Sequence, residues 1–142
     1  MDGKKYEKKV ASYLKRKGFF AVKVTGESGD YGVDVLARKN IHKYAIQCKY
    51  YSRPVGVHAV QQVVGGMKYY RCDKAVVITN NTFTRQARTL ADENNVILIE
   101  KYDGRDGIRI ALMFIILLVL IVILLKIPGA WDRIAGLWGP AS

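Results

Sequence analysis

Residues 110–125, IALMFIILLVLIVILL, contain no charged, polar or helix-breaking side chain, and Arg109 and Lys126 close the two ends. This run decides how the chain is organised. Sixteen consecutive apolar residues are too costly to leave in water, and the remainder of a 142-residue chain offers little core to bury them in. Extended to residues 108–127, a helix rises roughly 30 Å at about 1.5 Å per residue, the thickness of one hydrocarbon core. Arg109 and Lys126 can snorkel to the headgroups, and Trp131 falls at interfacial height. A C-terminal transmembrane helix over 108–127 is therefore expected. The alternative is a buried core helix, which would ordinarily carry a polar residue or two.

The expected division is a working domain at 1–101, a juxtamembrane linker at 102–107, the span at 108–127 and a short tail at 128–142. The tail reads either as a passive stub or, through Trp131, Ile134, Leu137 and Trp138, as a segment lying along the far membrane surface. Residues 1–109 hold 21 of the 23 basic and 11 of the 12 acidic residues, a net charge of +10. That excess points to an anionic partner, nucleic acid or lipid or both, and charge alone does not choose between them. Cys48 and Cys72 form no C-x-x-C pair and read as free buried thiols. With no leader at the N-terminus, they point to a reducing compartment. The expected location is thus the inner, cytoplasmic membrane, crossed once, with the N-terminal domain in the cytoplasm.

Within the domain, Tyr6, Val10, Tyr13 and Leu14 recur at helical spacing over residues 2–17, and Gly18 ends the helix. FFAVKVT (19–25) reads as a strand, followed by the glycine-punctuated turn GESGDYG. VDVLAR (33–38) and KYAIQCKYY (43–51) read as an antiparallel pair joined by KNIH. A second helix (56–71), a fourth strand (74–79), a third helix (83–95) and a fifth strand (96–100) follow. The order αβββαβαβ predicts an α/β domain with a mixed central sheet.

The strand pair raises the chemical question. Tyr44, Ile46, Cys48 and Tyr50 make an apolar face, while Ala45, Gln47 and Lys49 point the other way. On the preceding strand, Val33, Val35 and Ala37 alternate with Asp34, Leu36 and Arg38. Pairing through the short turn brings Asp34, Gln47 and Lys49 together at one end of the sheet. A carboxylate and an amide oxygen are hard ligands suited to Mg²⁺. A neighbouring lysine can orient or deprotonate water, or stabilise charge on a phosphate. This set suits metal-assisted phosphodiester hydrolysis. Glu7, at i, i+3, i+7 with Val10 and Leu14, borders the helix face that packs on the sheet, where most glutamates are simply solvated. Asp30, at a glycine-rich bend, reads as a turn residue.

Other chemistries lack support. His42 and His58 have no zinc-ligand neighbours, and Gly26, Gly29 and Gly32 do not form a dinucleotide fingerprint. The runs KKYEKK and KRK read as the solvated side of the first helix. Arg53, Lys68, Arg71, Arg85 and Arg88, with Tyr50, Tyr51, Tyr69 and Tyr70 among them, offer phosphate contacts and stacking; scattered solubilising charge is the bland alternative.

Four segments, GDYGVDVLA, YAIQCKYY, VGVHAVQQVVGG and VVITNNTFTRQARTLADENNVILIE, together resemble the catalytic domain of Mrr-type (type IV) restriction endonucleases, members of the PD-(D/E)xK nuclease superfamily. The resemblance spans residues 3–100 and implies a restriction-endonuclease-like fold with an αβββαβ core. It implies Asp34 as the metal-binding aspartate, Gln47 in place of the superfamily's acidic ligand (a substitution common in the Mrr branch), and Lys49 as the catalytic lysine. It also sets Glu7 on the first-helix glutamate and Gln61 on the glutamine of the second helix. The implied cofactor is Mg²⁺, with Mn²⁺ as a substitute, held by Asp34, Gln47 and Glu7. The family prototype carries a separate DNA-recognition domain and acts on modified foreign DNA; no such domain fits in these residues, so recognition falls to a partner or to DNA shape.

The expected function is a membrane-anchored, Mg²⁺-dependent DNA endonuclease acting in restriction, with Gln61, Arg53, Lys68, Arg85 and Arg88 on the DNA. Its expected partners are double-stranded DNA, membrane lipid through the C-terminal helix, a second copy as a homodimer, and a separate recognition protein. Two alternatives stand beside it. One is a nuclease fold turned DNA-tethering module, which Gln47 permits and Asp34 and Lys49 oppose. The other is a structure-selective or RNA-directed nuclease using the same site.

Overall fold

The computed structural model describes residues 1–26, 31–104 and 106–126, with the side chains of the last segment described over 111–124. The readings of Asp30, of the tail 128–142 with Trp131, Ile134, Leu137 and Trp138, and of the Arg109 and Lys126 side chains lie outside the described residues. The chain forms two units, residues 1–104 and 105–142.

In the first unit, helix α1 (Gly3–Arg16) starts because the Asp2 side chain accepts the Lys5 amide at 2.8 Å, satisfying one of the open N-terminal donors. It stops at Gly18, whose φ of +82° suits a residue without Cβ. Strands β1 (Phe20–Val24), β2 (Val35–Lys39) and β3 (His42–Lys49) run antiparallel. Lys39 pairs with His42, so only Asn40 and Ile41 make the turn, and Asn40 takes a left-handed φ of +53°. Helix α2 (Val57–Tyr69) crosses to β4 (Lys74–Thr79), and α3 (Arg85–Glu93) crosses to β5 (Val96–Ile99), each strand parallel to its predecessor. The sheet order is β1-β2-β3-β4-β5. Two successive crossovers advancing the same way along the sheet leave both helices on one face. There Val60, Val63, Ala87 and Ala91 pack on Ala45, Ala75 and Val77. On the other face, α1 sets Tyr6, Val10 and Leu14 against Val35, Ile46 and Ile78.

Two expectations are revised. Val33 does not share a face with Val35 and Ala37; it is buried in the α2 side of the core. The strict alternation starts only at Val35, because Tyr31 and Gly32 just before it both have positive φ, +48° and +77°, and turn the chain. Tyr102, read as linker, is core: it is 6% exposed, its amide donates to the Thr79 carbonyl at 3.0 Å, and its own carbonyl accepts the buried Tyr6 hydroxyl at 2.9 Å.

In the second unit, α4 (Asp106–Lys126) is a continuous 21-residue helix. Its described side chains, 111–124, are exposed. Taken over the described residues alone, no helix is long and apolar enough to cross a membrane.

Candidate active site

The end of the sheet where β2 begins and β3 finishes brings Asp34, Gln47 and Lys49 together. Asp34 precedes β2 by one residue, and its backbone is held from three directions. Its amide donates to the Ile46 carbonyl at 2.9 Å, its carbonyl accepts the Thr25 amide at 2.9 Å, and the Thr25 hydroxyl donates to the neighbouring Val33 carbonyl at 2.5 Å. The carboxylate is buried, at 8% exposure. Its Oδ2 accepts Gln47 Nε2 at 2.5 Å and the Cys48 amide at 2.6 Å.

Gln47 is 3% exposed and, having given its amide nitrogen to Asp34, leaves Oε1 buried with no hydrogen-bond partner. An orphaned buried carbonyl oxygen costs free energy and calls for an explanation, and an acceptor of a cation's charge is one. Lys49 follows on the same side of β3, half-buried at the strand's end. Glu7, from α1, is half-buried. Burial pushes the Cys48 thiol well above the ordinary cysteine range, the Asp34 and Glu7 carboxylates push it further, and Lys49 pulls it back. Asp34, Glu7 and Lys49 thus share one electrostatic neighbourhood around Cys48, and Gln47 is tied to it through Asp34. Among the described residues, no three His, Cys, Asp or Glu side chains cluster as a metal site. The donors expected from the sequence, the Asp34 and Glu7 carboxylates and the Gln47 amide oxygen, are hard oxygen donors of the kind Mg²⁺ takes.

The remaining predicted residues fall elsewhere on the unit. Gln61 is exposed and lines a groove between α2 and α3 with Arg85, Thr89 and Glu93. Its neighbour Gln62 is the one against the Asp34 loop: a Cβ on Gly32 would meet Gln62 Cβ at 2.6 Å, and Gln62 Oε1 is a second buried oxygen without a partner. Arg53 and Lys68 are exposed. Arg88 is engaged by Glu100, which also accepts the Phe83 amide at 2.7 Å. Burial raises the Glu100 carboxyl, but these two bonds together with the Arg88 and Lys101 charges hold it below its usual range.

One positioning residue escaped the sequence reading. Asn80, just past β4, accepts the Tyr51 amide at 2.8 Å and donates to the Tyr51 carbonyl at 2.9 Å, and Asn81 adds a 3.3 Å bond to that carbonyl. This clasp fixes the backbone two residues beyond Lys49. An Asn-Asn pair after an apolar strand is a turn signal, so sequence alone offered no sign of it.

Three solved structures are similar to this chain. The crystal structure of AF1548, a protein of unknown function, is 21% identical with a TM-score of 0.57 over 69% of this chain and 59% of that one. MspJI restriction endonuclease, solved in complex with a 27-mer oligonucleotide, is 22% identical with a TM-score of 0.48 over 70% of this chain and 26% of that one. The DNA modification-dependent restriction endonuclease AspBHI is 19% identical with a TM-score of 0.47, over 72% and 33%. The chain therefore spans less than two thirds of the length of each. No curated protein matches it. The restriction endonuclease family model Mrr_cat matches residues 1–104, all of the first unit and most of the chain, and the chain belongs to the Mrr restriction endonuclease family.

Proposed function

We propose that this protein is a Mg²⁺-dependent endonuclease that hydrolyses DNA phosphodiester bonds in the restriction of foreign or modified DNA, anchored to the cytoplasmic membrane by α4. The observation that carries the catalytic reading is the buried Asp34–Gln47 pair with its unpartnered Oε1, set beside Lys49. A purely structural Asp–Gln pair would be expected to satisfy both ends of the amide, since buried polar atoms are rarely left open.

Asp34, Gln47 Oε1 and Glu7 would hold the Mg²⁺, which when bound supplies Lewis-acid polarisation of the phosphate and of the attacking water. The chain's own groups do the rest. The Cys48 amide and the Gln47 amide fix the Asp34 carboxylate in one orientation, so little reorganisation remains when charge arrives. Lys49 offers an ammonium to the charge that develops on the phosphate oxygens and orients the water that attacks phosphorus. The domain's net charge of +10 favours a polyanion. At about 1.5 Å per residue, the 21 residues of α4 rise roughly 30 Å, enough for one bilayer core.

The test is cleavage by the full chain in detergent micelles with Mg²⁺ or Mn²⁺. Substrates are plasmid, methylated plasmid, branched DNA and RNA. The expected result is nicking or linearisation of DNA by the wild type, abolished by Asp34→Ala and by Lys49→Ala. Failure to cut any of these DNAs with either metal would overturn the reading, and cleavage of RNA alone would reassign the substrate.

A further inference from the structure

Three residues ahead of Asp34, the ring of Tyr31 stacks on that of Tyr69 with centroids 3.8 Å apart and planes inclined by 26°. Tyr70 meets Tyr69 edge-on at 5.0 Å. Aromatic pairs ordinarily stabilise a fold by being buried, yet Tyr31 is 56% exposed and Tyr69 57%. Core packing does not explain them.

The backbone is built to present this pair. Tyr31 sits at a φ of +48°, where a bulky side chain is an outlier, and Gly32 follows at +77°. Gly32 admits no Cβ because Gln62 lies against it. Gly66 on α2 admits none either, since Val33 and the Tyr31 carbonyl press on that position. The two glycines let α2 lie directly on the turn, and this brings Tyr69, at the end of α2, over Tyr31. The price of a left-handed tyrosine is kept where it exposes an aromatic face beside the site.

The neighbourhood suits a nucleotide. Lys68 and Arg71 are exposed and flank the Tyr69–Tyr70 pair in sequence. Three residues of chain span at most about 11 Å, so the Tyr31 and Asp34 backbones lie within roughly three base steps of one another. An exposed aromatic face beside cations is the pattern by which proteins hold unpaired bases, because every base has a π-face. A base in an intact duplex is stacked on its neighbours and has no free face to offer.

We infer that the Tyr31–Tyr69 stack is a base-stacking platform that makes the Asp34 site prefer DNA with an unpaired base within a few nucleotides of the scissile phosphate. The inference rests on the nuclease reading for the identity of the substrate, but its direct readout is binding. The Tyr69 hydroxyl also bonds to that of Tyr31, so Tyr69→Phe keeps the stacking ring and loses only this bond, while Tyr69→Leu removes the ring.

The experiment uses the full chain in detergent micelles with EDTA present, so that no cleavage intrudes. One probe is a duplex with a 2-aminopurine at an unpaired position in a short gap; the other is the matched duplex. The wild type should bind the gapped probe more tightly and quench its 2-aminopurine. Tyr31→Ala and Tyr69→Leu should each lose about 5- to 150-fold in affinity for the gapped probe, with matched-duplex affinity unchanged. Tyr69→Phe, which keeps the ring, should retain most of the wild-type affinity and quenching. Should Tyr31→Ala fail to fold, Tyr69→Leu at its exposed position carries the test. Equal wild-type affinity for the two probes, or equal losses on both in the variant, overturns the platform. Plasmid cleavage without gap preference sinks this inference alone. Gap-specific quenching by a chain that cuts nothing sinks the nuclease reading alone.

Discussion

Gln47 gives its side-chain nitrogen to Asp34 Oδ2 at 2.5 Å and keeps its own oxygen buried with no hydrogen-bond partner. That arrangement satisfies one aspartate oxygen with a neutral amide donor. Gln47→Glu replaces the donor by a carboxylate and puts two like charges in a buried site. Without divalent metal, the variant should be less stable by about 1–3 kcal/mol, a fall in Tm of at least about 5 °C for a domain of this size. With Mg²⁺ the order should reverse, because added negative charge raises metal affinity and binding to the folded state stabilises it. Melting curves with and without Mg²⁺ decide the matter. If the metal-dependent gain in Tm is no larger in Gln47→Glu than in the wild type, Gln47 is not a ligand.

The Asn80 clasp on Tyr51 predicts a second effect, and one that separates position from stability. Asn80→Ala removes two neutral hydrogen bonds, each contributing about 0.5–1.5 kcal/mol. Its larger consequence falls on Lys49, whose strand end is no longer fixed. Displacement of about 1 Å at a catalytic group can lower the rate by up to about 100-fold. The expected signature is a reduced kcat with KM near wild type. Asn80→Asp, which keeps the acceptor for the Tyr51 amide, should recover part of it. A loss confined to Tm, with kcat intact, would show that the clasp serves stability alone.

Much of this was legible in the sequence, for identifiable reasons. Period-two alternation in KYAIQCKYY set Gln47 and Lys49 on one side of β3, and the short turn fixed which end of the sheet they share with Asp34. Both signals are local, and local signals survive in a one-dimensional reading. The failures are non-local. Val33 changed faces because two consecutive positive φ values precede it, and Tyr31 is not a residue type that announces such a turn. Tyr102 looked like linker among charges and glycines, yet its bonds to Tyr6 and Thr79 and its ring contacts with Tyr6 and Tyr13 make it core. Gln61 and Gln62 differ by one helical position, about 100° of rotation, and nothing local says which of them meets Gly32.

The cysteines yield a pH prediction. Burial, then Asp34 and Glu7, push the Cys48 thiol upward, and Lys49 offsets this only in part. Burial also raises Cys72, which is only half-buried. A raised pKa means that the folded state holds its proton after the unfolded chain has lost it. The associated stability is therefore complete below the ordinary thiol value of about 8.5, and it declines as pH rises from there toward the folded values. At pH 8 a thiol-alkylating reagent should modify Cys72 first, with Cys48 reacting only on unfolding. Cys48→Ala should flatten the alkaline loss of Tm. Rapid double alkylation of the native protein at pH 8 would contradict the buried, protonated Cys48.

The last prediction concerns α4, whose 21 residues have the length of a span and whose role as one is proposed rather than seen. In a bilayer the helix satisfies its own backbone, and its apolar side chains face lipid without cost. A charge near its middle does not. Arg at a helix centre costs about 2.5–3.5 kcal/mol on insertion, while the leucine it replaces favours insertion by about 0.3–0.6 kcal/mol. Leu117→Arg should therefore weaken insertion by roughly 3–4 kcal/mol, a factor of a hundred or more, whereas Leu117→Ala should change little. The readout is the share of full-length chain that stays with membranes after alkaline carbonate extraction, with expression matched between variants. Wild type and Leu117→Ala should remain in the membrane pellet, and a Leu117→Arg, Leu120→Arg double variant should move to the supernatant. Because the nuclease unit is a separate compact body, the released double variant should keep its cleavage activity toward naked DNA. A wild-type chain that carbonate strips from the membrane would show that α4 does not span it, and the apolar run would then need a protein partner instead.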